Sequence, residues 1–299
     1  MNLFDRLVAQ AMQGQDRFAP IQAVVEKELL HHDILREMNE AGLLSRLVFI
    51  GGTCLRACYG ASRLSEDLDF TGGADFSRDA LAGLGDVLTG RLHEKYGLRV
   101  EVGEPVREVG NVDTWKVRIV TRPESAHLPQ QRIHIDICVI PSHDARPMML
   151  RNHYGVDMGT SGLILQAQSR DEIFADKMIA LALRPGRIKN RDLWDMMWLR
   201  QQGVVLPARL IPAKIRDHRR TVDDFVLRLQ ARLGELSGLP GMRDDFLREM
   251  RRSLPADIVR ETVENPSFWS FLVAETTSLA QGVVASLRSD GSDAGFRMA

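Results

Sequence analysis

Three aspartates pose the chemical question in this chain. Asp67 and Asp69 stand two apart in the run Arg63-Leu64-Ser65-Glu66-Asp67-Leu68-Asp69-Phe70, and Asp136 lies inside the alternating run from Arg132 to Ile140. Residues two apart on a strand point the same way, so Asp67 and Asp69 are expected to share a face. In the later run Ile133, Ile135, Ile137 and Val139 share one face, which leaves His134, Asp136 and Cys138 on the other. Three carboxylates brought together suit a hard dication such as Mg²⁺, which takes a few acids, waters and phosphate oxygens. Such a site neutralises the phosphates of a transferring nucleotide and activates an attacking hydroxyl for in-line displacement. Upstream, Gly51-Gly52-Thr53 follows the apolar run Leu47 to Ile50. A glycine pair between strand and helix lets backbone N–H groups approach an anion, and phosphate is the expected guest. Arg63 could hold a phosphate or pair with Glu66. Ser65 could contact a phosphate or cap its own turn.

The elements that must position these residues are legible from periodicity. Residues 1–46 read as helical, since Ile21, Val24, Val25, Leu29, Ile34, Leu35 and Met38 recur at threes and fours. His31-His32-Asp33 on that stretch reads as solvent-exposed. A strand at 47–50, a glycine turn, a helix at 53–59 and a second strand at 68–70 follow, then a helix over 77–95. Strands are expected at 98–102, 115–120 and 132–140, and residues 141–168 read as irregular. Helical periodicity then returns at 170–184, 190–202, 206–217, 221–237, 242–253 and 267–288. The fold class is therefore α+β (α/β), with an α/β half at about 40–145, a helical half at about 170–288, and the cleft between them as the expected site. The expected division is a helical segment at 1–45, an α/β core at 46–165, a helical domain at 166–288 and a flexible tail at 289–299.

A second constellation lies in the helical half. On one helix Lys177 and Arg184 are seven apart and share a face, beside an apolar stripe of Phe174, Met178 and Leu181. On the next, Asp192 and Asp195 are three apart and face one direction, with Trp194, Met197 and Trp198 free to pack. One reading has Lys177 meeting a nucleotide phosphate while Asp192 or Asp195 orients an acceptor or acts as base. The other has Lys177 snorkelling from an exposed helix in ion pairs with its neighbours.

The order of strand, Gly-Gly, helix, D-x-D strand and later Asp strand resembles the DNA polymerase β-type nucleotidyltransferase superfamily. More narrowly, Gly51-Gly52-Thr53 with Leu55, Tyr59-Gly60 and Arg63-x-Ser65-x-Asp67-x-Asp69-Phe70 resembles the AbiEii/AbiGii toxin family of nucleotidyltransferases. Lys177 on its helix and Arg191-Asp192-x-x-Asp195 are similar to that family's second half, so the likeness spans roughly residues 48–200. The resemblance implies a nucleotidyltransferase-type mixed sheet with flanking helices. It implies Asp67, Asp69 and Asp136 as metal-binding and catalytic residues, with Lys177, Asp192 and Asp195 also catalytic. It implies nucleotide binding by Gly51, Gly52, Thr53, Arg63, Ser65 and Lys177, and makes Ser65 a phosphate-contact and self-modification position. It further implies a Mg²⁺ cofactor, an NTP substrate, a tRNA acceptor, and a cognate antitoxin in a toxin–antitoxin or phage-defence setting.

Charge alone does not advertise nucleic acid. Lys+Arg number 39 and Asp+Glu 40, for a net charge of −1. Local clusters do, at Arg184, Arg187, Lys189 and Arg191, then at Lys214, Arg216, His218, Arg219 and Arg220, and at Arg248, Arg251 and Arg252. Apolar runs are too short for a membrane span, no export signal is evident, and three cysteines read as reduced thiols; a cytoplasmic location is expected. Two alternatives stand beside the tRNA reading: a small-molecule acceptor on the same metal site, as in aminoglycoside nucleotidyltransferases, or a non-catalytic binding protein of the same fold.

Overall fold

The computed structural model describes residues 2–106, 110–122, 124 and 130–295, with side chains described as far as Ser289. Two compact units emerge. The first comprises Met1–Gln168 with Ser253–Pro255, and the second Ser169–Arg252 with Ala256–Ala299.

The first unit is built on a mixed seven-stranded sheet. The strands are β1 (Val48–Ile50), β2 (Leu68–Thr71), β3 (Arg99–Gly103), β4 (Val112–Val120), β5 (Gln131–Cys138), β6 (Ala145–Met149) and β7 (Ile164–Gln168), in the order β3-β4-β5-β2-β1-β7-β6. Pairs β2·β5 and β1·β7 run parallel and the other four antiparallel. β6 and β7 fall in the stretch expected to be irregular. The signal was weak because β6 is an edge strand holding Pro147, which edges tolerate, and β7 is short with polar positions interleaved.

Helices α1 (Leu3–Met12), α2 (Gln22–Glu40) and α4 (Leu84–Tyr96) complete the unit's core. Phe4, Val25, Leu29, Ile34, Leu88 and Leu92 are buried with Phe49, Phe70, Trp115 and Ile135 from the sheet. α3 (Gly51–Cys54) starts directly from β1 and continues as a π-helical turn over Leu55–Tyr59. The expected glycine turn is thus the helix's own first turn.

α2 is unlike an ordinary surface helix. Glu26, Glu28, His31, His32, Asp33 and Glu37 are all buried on it, so the exposed reading of His31-His32-Asp33 is corrected. Periodicity cannot show this, because polar residues score as a wet face unless their partners are known. Here the partners come from distant sequence. Asp33 takes Tyr96 Oη and Lys95 Nζ, each at 2.5 Å, and His32 Nδ1 lies 2.8 Å from Thr160 Oγ1.

The second unit groups helices around α5 (Arg170–Leu183): α6 (Asn190–Gln201), α7 (Ile211–Asp217), α8 (Val222–Gly238), α9 (Met242–Met250), α10 (Ala256–Ile258) and α11 (Pro266–Gly295). Ser169 caps α5 through its hydroxyl and Thr221 caps α8, as N-cap chemistry favours. α11 runs past Ser289, the expected start of a tail, to Gly295. Among the described residues no helix is long and apolar enough to cross a membrane.

Burial pushes the rings of His31, His32 and His153 down to about 4. In the unfolded chain they take up protons below about 6.5. Stability from their neutral burial is therefore full above that value and is lost as the pH falls towards 4. The loss is expected to reach about 1.4 kcal/mol per pH unit for each histidine. Urea denaturation at pH 7.5, 6 and 5 checks this, and a flat profile would refute it.

Candidate active site

The first site is a row of side chains across the sheet. β2 and β5 pair in parallel with Asp69 opposite Asp136, and β4 places Thr114 opposite Asp136 on its other side. Residues paired across neighbouring strands project to the same face, so Asp69 and Asp136 stand side by side at the strand spacing of about 4.8 Å. Leu68, Phe70, Ile135 and Ile137 bury the opposite face, while both aspartates are half-buried. Thr114 Oγ1 donates to Asp136 Oδ1 at 2.6 Å and fixes that carboxylate. The sequence reading missed Thr114, because it began the strand at Trp115, three residues late.

Gly51 closes the row. β1 pairs Ile50 with Asp69, and the chain then reverses at Gly51 with φ +75°. A Cβ on Gly51 would stand 3.0 Å from Asp69 Oδ2. Only glycine meets both demands, the left-handed backbone and the close carboxylate.

Asp67 behaves differently from the i, i+2 expectation. It sits one residue before β2, and its Oδ1 accepts from the backbone N–H of His134 at 2.9 Å, with His134 Nδ1 3.4 Å away. His134 therefore faces Asp67. Among the described residues no group of three His, Cys, Asp or Glu is arranged to hold a metal ion. The expected three-carboxylate set is accordingly not assembled, since Asp67 is turned to His134 within β5. The adjacent pair Asp69 and Asp136, half-exposed beside a side-chain-free glycine, does fit one hard divalent cation that keeps water or phosphate oxygens as its other ligands.

Thr53 and Ser65 lie behind the row. Thr53 Oγ1 is 2.5 Å from Ser65 Oγ and donates to Asp67 O, so the two hydroxyls tie α3 to the loop that delivers Asp67. Ser65 is buried, and its backbone N–H donates to Glu28 Oε1 at 3.0 Å. Arg63 is also buried, with Nη1 donating to Leu64 O at 3.0 Å. Gly52 is buried in the first turn of α3.

The second constellation lies in the second unit. Lys177 Nζ is 2.6 Å from Asp192 Oδ1 and 2.8 Å from Asp195 Oδ2, and Arg184 Nη2 is 2.8 Å from Asp192 Oδ2. Lys177, Asp192 and Asp195 are all buried. Burial alone would push the Asp192 carboxyl up, but Lys177 and Arg184 outweigh it and hold it below the usual carboxylate range. Two cations and two anions cancel here, so the cluster locks α5 to α6 without a net field. Arg191, next to Asp192 in sequence, meets Glu249 at 3.2 Å. Lys214, grouped with the basic cluster from sequence, is buried on Glu172 and on Asp176 at 2.9 Å.

A mixed sheet with two register-matched aspartates beside a glycine reversal is the arrangement that the resemblance to nucleotidyltransferases implies. Among solved structures the chain is similar to MenT4, a nucleotidyltransferase toxin from Mycobacterium tuberculosis, with a TM-score of 0.54 and 17% identity over 95% of this chain and 98% of that one. JHP933 from Helicobacter pylori is also similar, with a TM-score of 0.45 and 17% identity over 93% and 98%. No curated protein matches the sequence. The profile of the nucleotidyl transferase AbiEii toxin, type IV toxin–antitoxin system, matches residues 33–274. The chain belongs to the AbiEii nucleotidyltransferase toxin family.

Two substitutions test this geometry. Gly51→Ala is expected to cost about 1–2 kcal/mol of stability from its left-handed backbone alone and to displace the Asp69 carboxylate. Lys177→Met leaves the Asp192 and Asp195 carboxylates without their shared cation and is expected to cost about 3–5 kcal/mol. Denaturant midpoints measure both.

Proposed function

We propose that this chain transfers a nucleoside monophosphate from an NTP to an RNA acceptor, with tRNA the expected acceptor, and that a cognate antitoxin restrains it. The observation that carries the reading is the Asp69–Asp136 pair in register, with Gly51 holding backbone against it. In the step itself an acceptor hydroxyl oxygen attacks the α-phosphorus of the NTP, the bond to the bridging oxygen breaks, and pyrophosphate leaves. The hydroxyl proton passes to a carboxylate, a role for which the second motif offers Asp192 or Asp195.

Asp69 and Asp136 would hold Mg²⁺, with Asp67 joining them on release from His134. When bound, the cation supplies charge neutralisation to the triphosphate. The remaining roles fall to protein groups. The Gly51-Gly52 backbone and the Thr53 and Ser65 hydroxyls shape the phosphate cradle, and Arg63 supports the loop that delivers Asp67.

Support for RNA comes from sorting the cations by partner. Arg184, Arg191, Lys214, Arg248 and Arg251 are engaged by carboxylates. Arg187, Arg216 and Arg219 are exposed and, among the described residues, carry no ion pair. Arg219 is also the only non-glycine residue with positive φ among the described residues, at 54°. It occupies the left-handed position after α7, where glycine is usual, so a cation stands there at a backbone cost of about 1 kcal/mol.

Purified protein with Mg²⁺, each labelled NTP and tRNA is expected to place label on the RNA. Label on an added small molecule instead would favour that acceptor class, and no label on anything would favour a binding protein. Asp67→Ala, Asp69→Asn and Asp136→Asn are each expected to lower transfer about a hundredfold or more. Raised Mn²⁺ should partly restore the latter two. Replacing Arg216 and Arg219 with Gln is expected to raise the RNA KM and flatten its salt dependence, each lost phosphate contact reducing the slope by roughly 0.7.

A further inference from the structure

We infer that Glu28 is a positioning residue of the nucleotide site, fixing the spacing between α3 and the loop that carries Ser65 and Asp67. This rests on the nucleotidyl-transfer reading. Glu28 lies outside the stretch matched by the family profile, which begins at residue 33, and no motif marks it.

The geometry is specific. Glu28 is only 5% exposed on α2, and its carboxylate gathers four donor contacts. Arg56 Nε donates to Oε1 and Oε2 at 3.2 and 3.1 Å, Ser65 N donates to Oε1 at 3.0 Å, and Tyr154 Oη donates to Oε2 at 2.5 Å. Arg56 belongs to the continuation of α3, and its Nη1 donates to Ala61 O at 3.0 Å, where the loop begins. One buried carboxylate thus holds the far end of the glycine helix and the backbone of the loop together. The same loop returns to the near end of that helix through the Ser65–Thr53 contact and Thr53's bond to Asp67 O.

Neighbouring contacts from α2 hold the next residue. Lys27 Nζ lies 2.6 Å from Glu66 Oε2, and His31 Nε2 lies 3.1 Å from Glu66 O. Buried charges are costly unless fully partnered, and breaking such a set is costlier than never having it. A carboxylate whose donors come both from the continuation of α3 and from the loop is a means of fixing that loop against the helix. Displacement of reacting groups by about 1 Å costs roughly a hundredfold in rate, so the loop's position is worth holding.

The experiment compares Glu28→Gln and Tyr154→Phe with Asp33→Asn. Asp33 is buried on the same helix but bonds Lys95 and Tyr96, away from the loop. Tyr154→Phe removes one donor and keeps the carboxylate, which makes it the milder probe if Glu28→Gln fails to fold. Steady-state transfer with varied NTP and amide hydrogen exchange of residues 61–67 are measured on the full chain, at matched losses of Tm. The expected result is a tenfold to hundredfold fall in kcat/KM for the nucleotide in Glu28→Gln, a smaller fall in Tyr154→Phe, and faster exchange at Ser65 in both. Asp33→Asn should show neither. Equal kinetic losses in all three variants, or unchanged Ser65 exchange, overturns the inference. A wild-type chain that transfers no label defeats the functional reading, while the exchange data still decide whether Glu28 holds the loop.

Discussion

The reversal at Gly51 is the constraint on which the first site depends. β1 ends at Ile50 beside Asp69, and with φ +75° the next residue starts a helix without an intervening loop. That economy brings the backbone within reach of the carboxylate row. A side chain at Gly51 would strain the backbone and press on Asp69. The row from Thr114 through Asp136 to Asp69, the hydroxyl tie between Thr53 and Ser65, and the approach of the glycine helix all assume that this corner is turned in one residue.

Around that corner the first unit uses buried charge as structure. α2 presents a line of acids and neutral histidines inward, and most find a partner from a loop, a helix end or a strand far away in sequence. Such contacts add little net stability, because desolvation offsets most of the attraction. Their value is specificity of position, since a loop bonded to a buried carboxylate has one place to be. The second unit repeats the device on a smaller scale, with Lys177 between Asp192 and Asp195, and Lys214 between Glu172 and Asp176.

Much of this was legible from residue order. The helices of the second unit other than α10, and strands β1 to β5, follow from periodicity, because each has an apolar face. The register of Asp69 with Asp136 does not follow, since strand pairing is a long-range property that no local pattern encodes. Asp67 looks like a strand residue because D-x-D reads as one, whereas its carboxylate is captured by the N–H of His134 within the neighbouring β5. β6 and β7 were hidden by Pro147 and by their short, mixed sequences. Glu28 and the buried histidines were hidden for the opposite reason, since a polar residue announces burial only through partners that sequence does not display. Lys214 shows the same limit, as a lysine in a basic run reads as surface until its two acids are seen.

The first unit is not contiguous in sequence. Ser253–Pro255 belongs to it, all three residues are buried, and Ser253 O accepts from Leu64 N at 2.8 Å, one residue before Ser65. The loop that leads to Asp67 is therefore completed by residues almost two hundred positions later in the chain. During synthesis that last hydrogen bond cannot form until the ribosome has passed residue 253, so a nascent chain carries every residue of the aspartate row long before the loop beside it is closed. A toxin built this way completes the loop that leads to Asp67 only after residue 253 has been made.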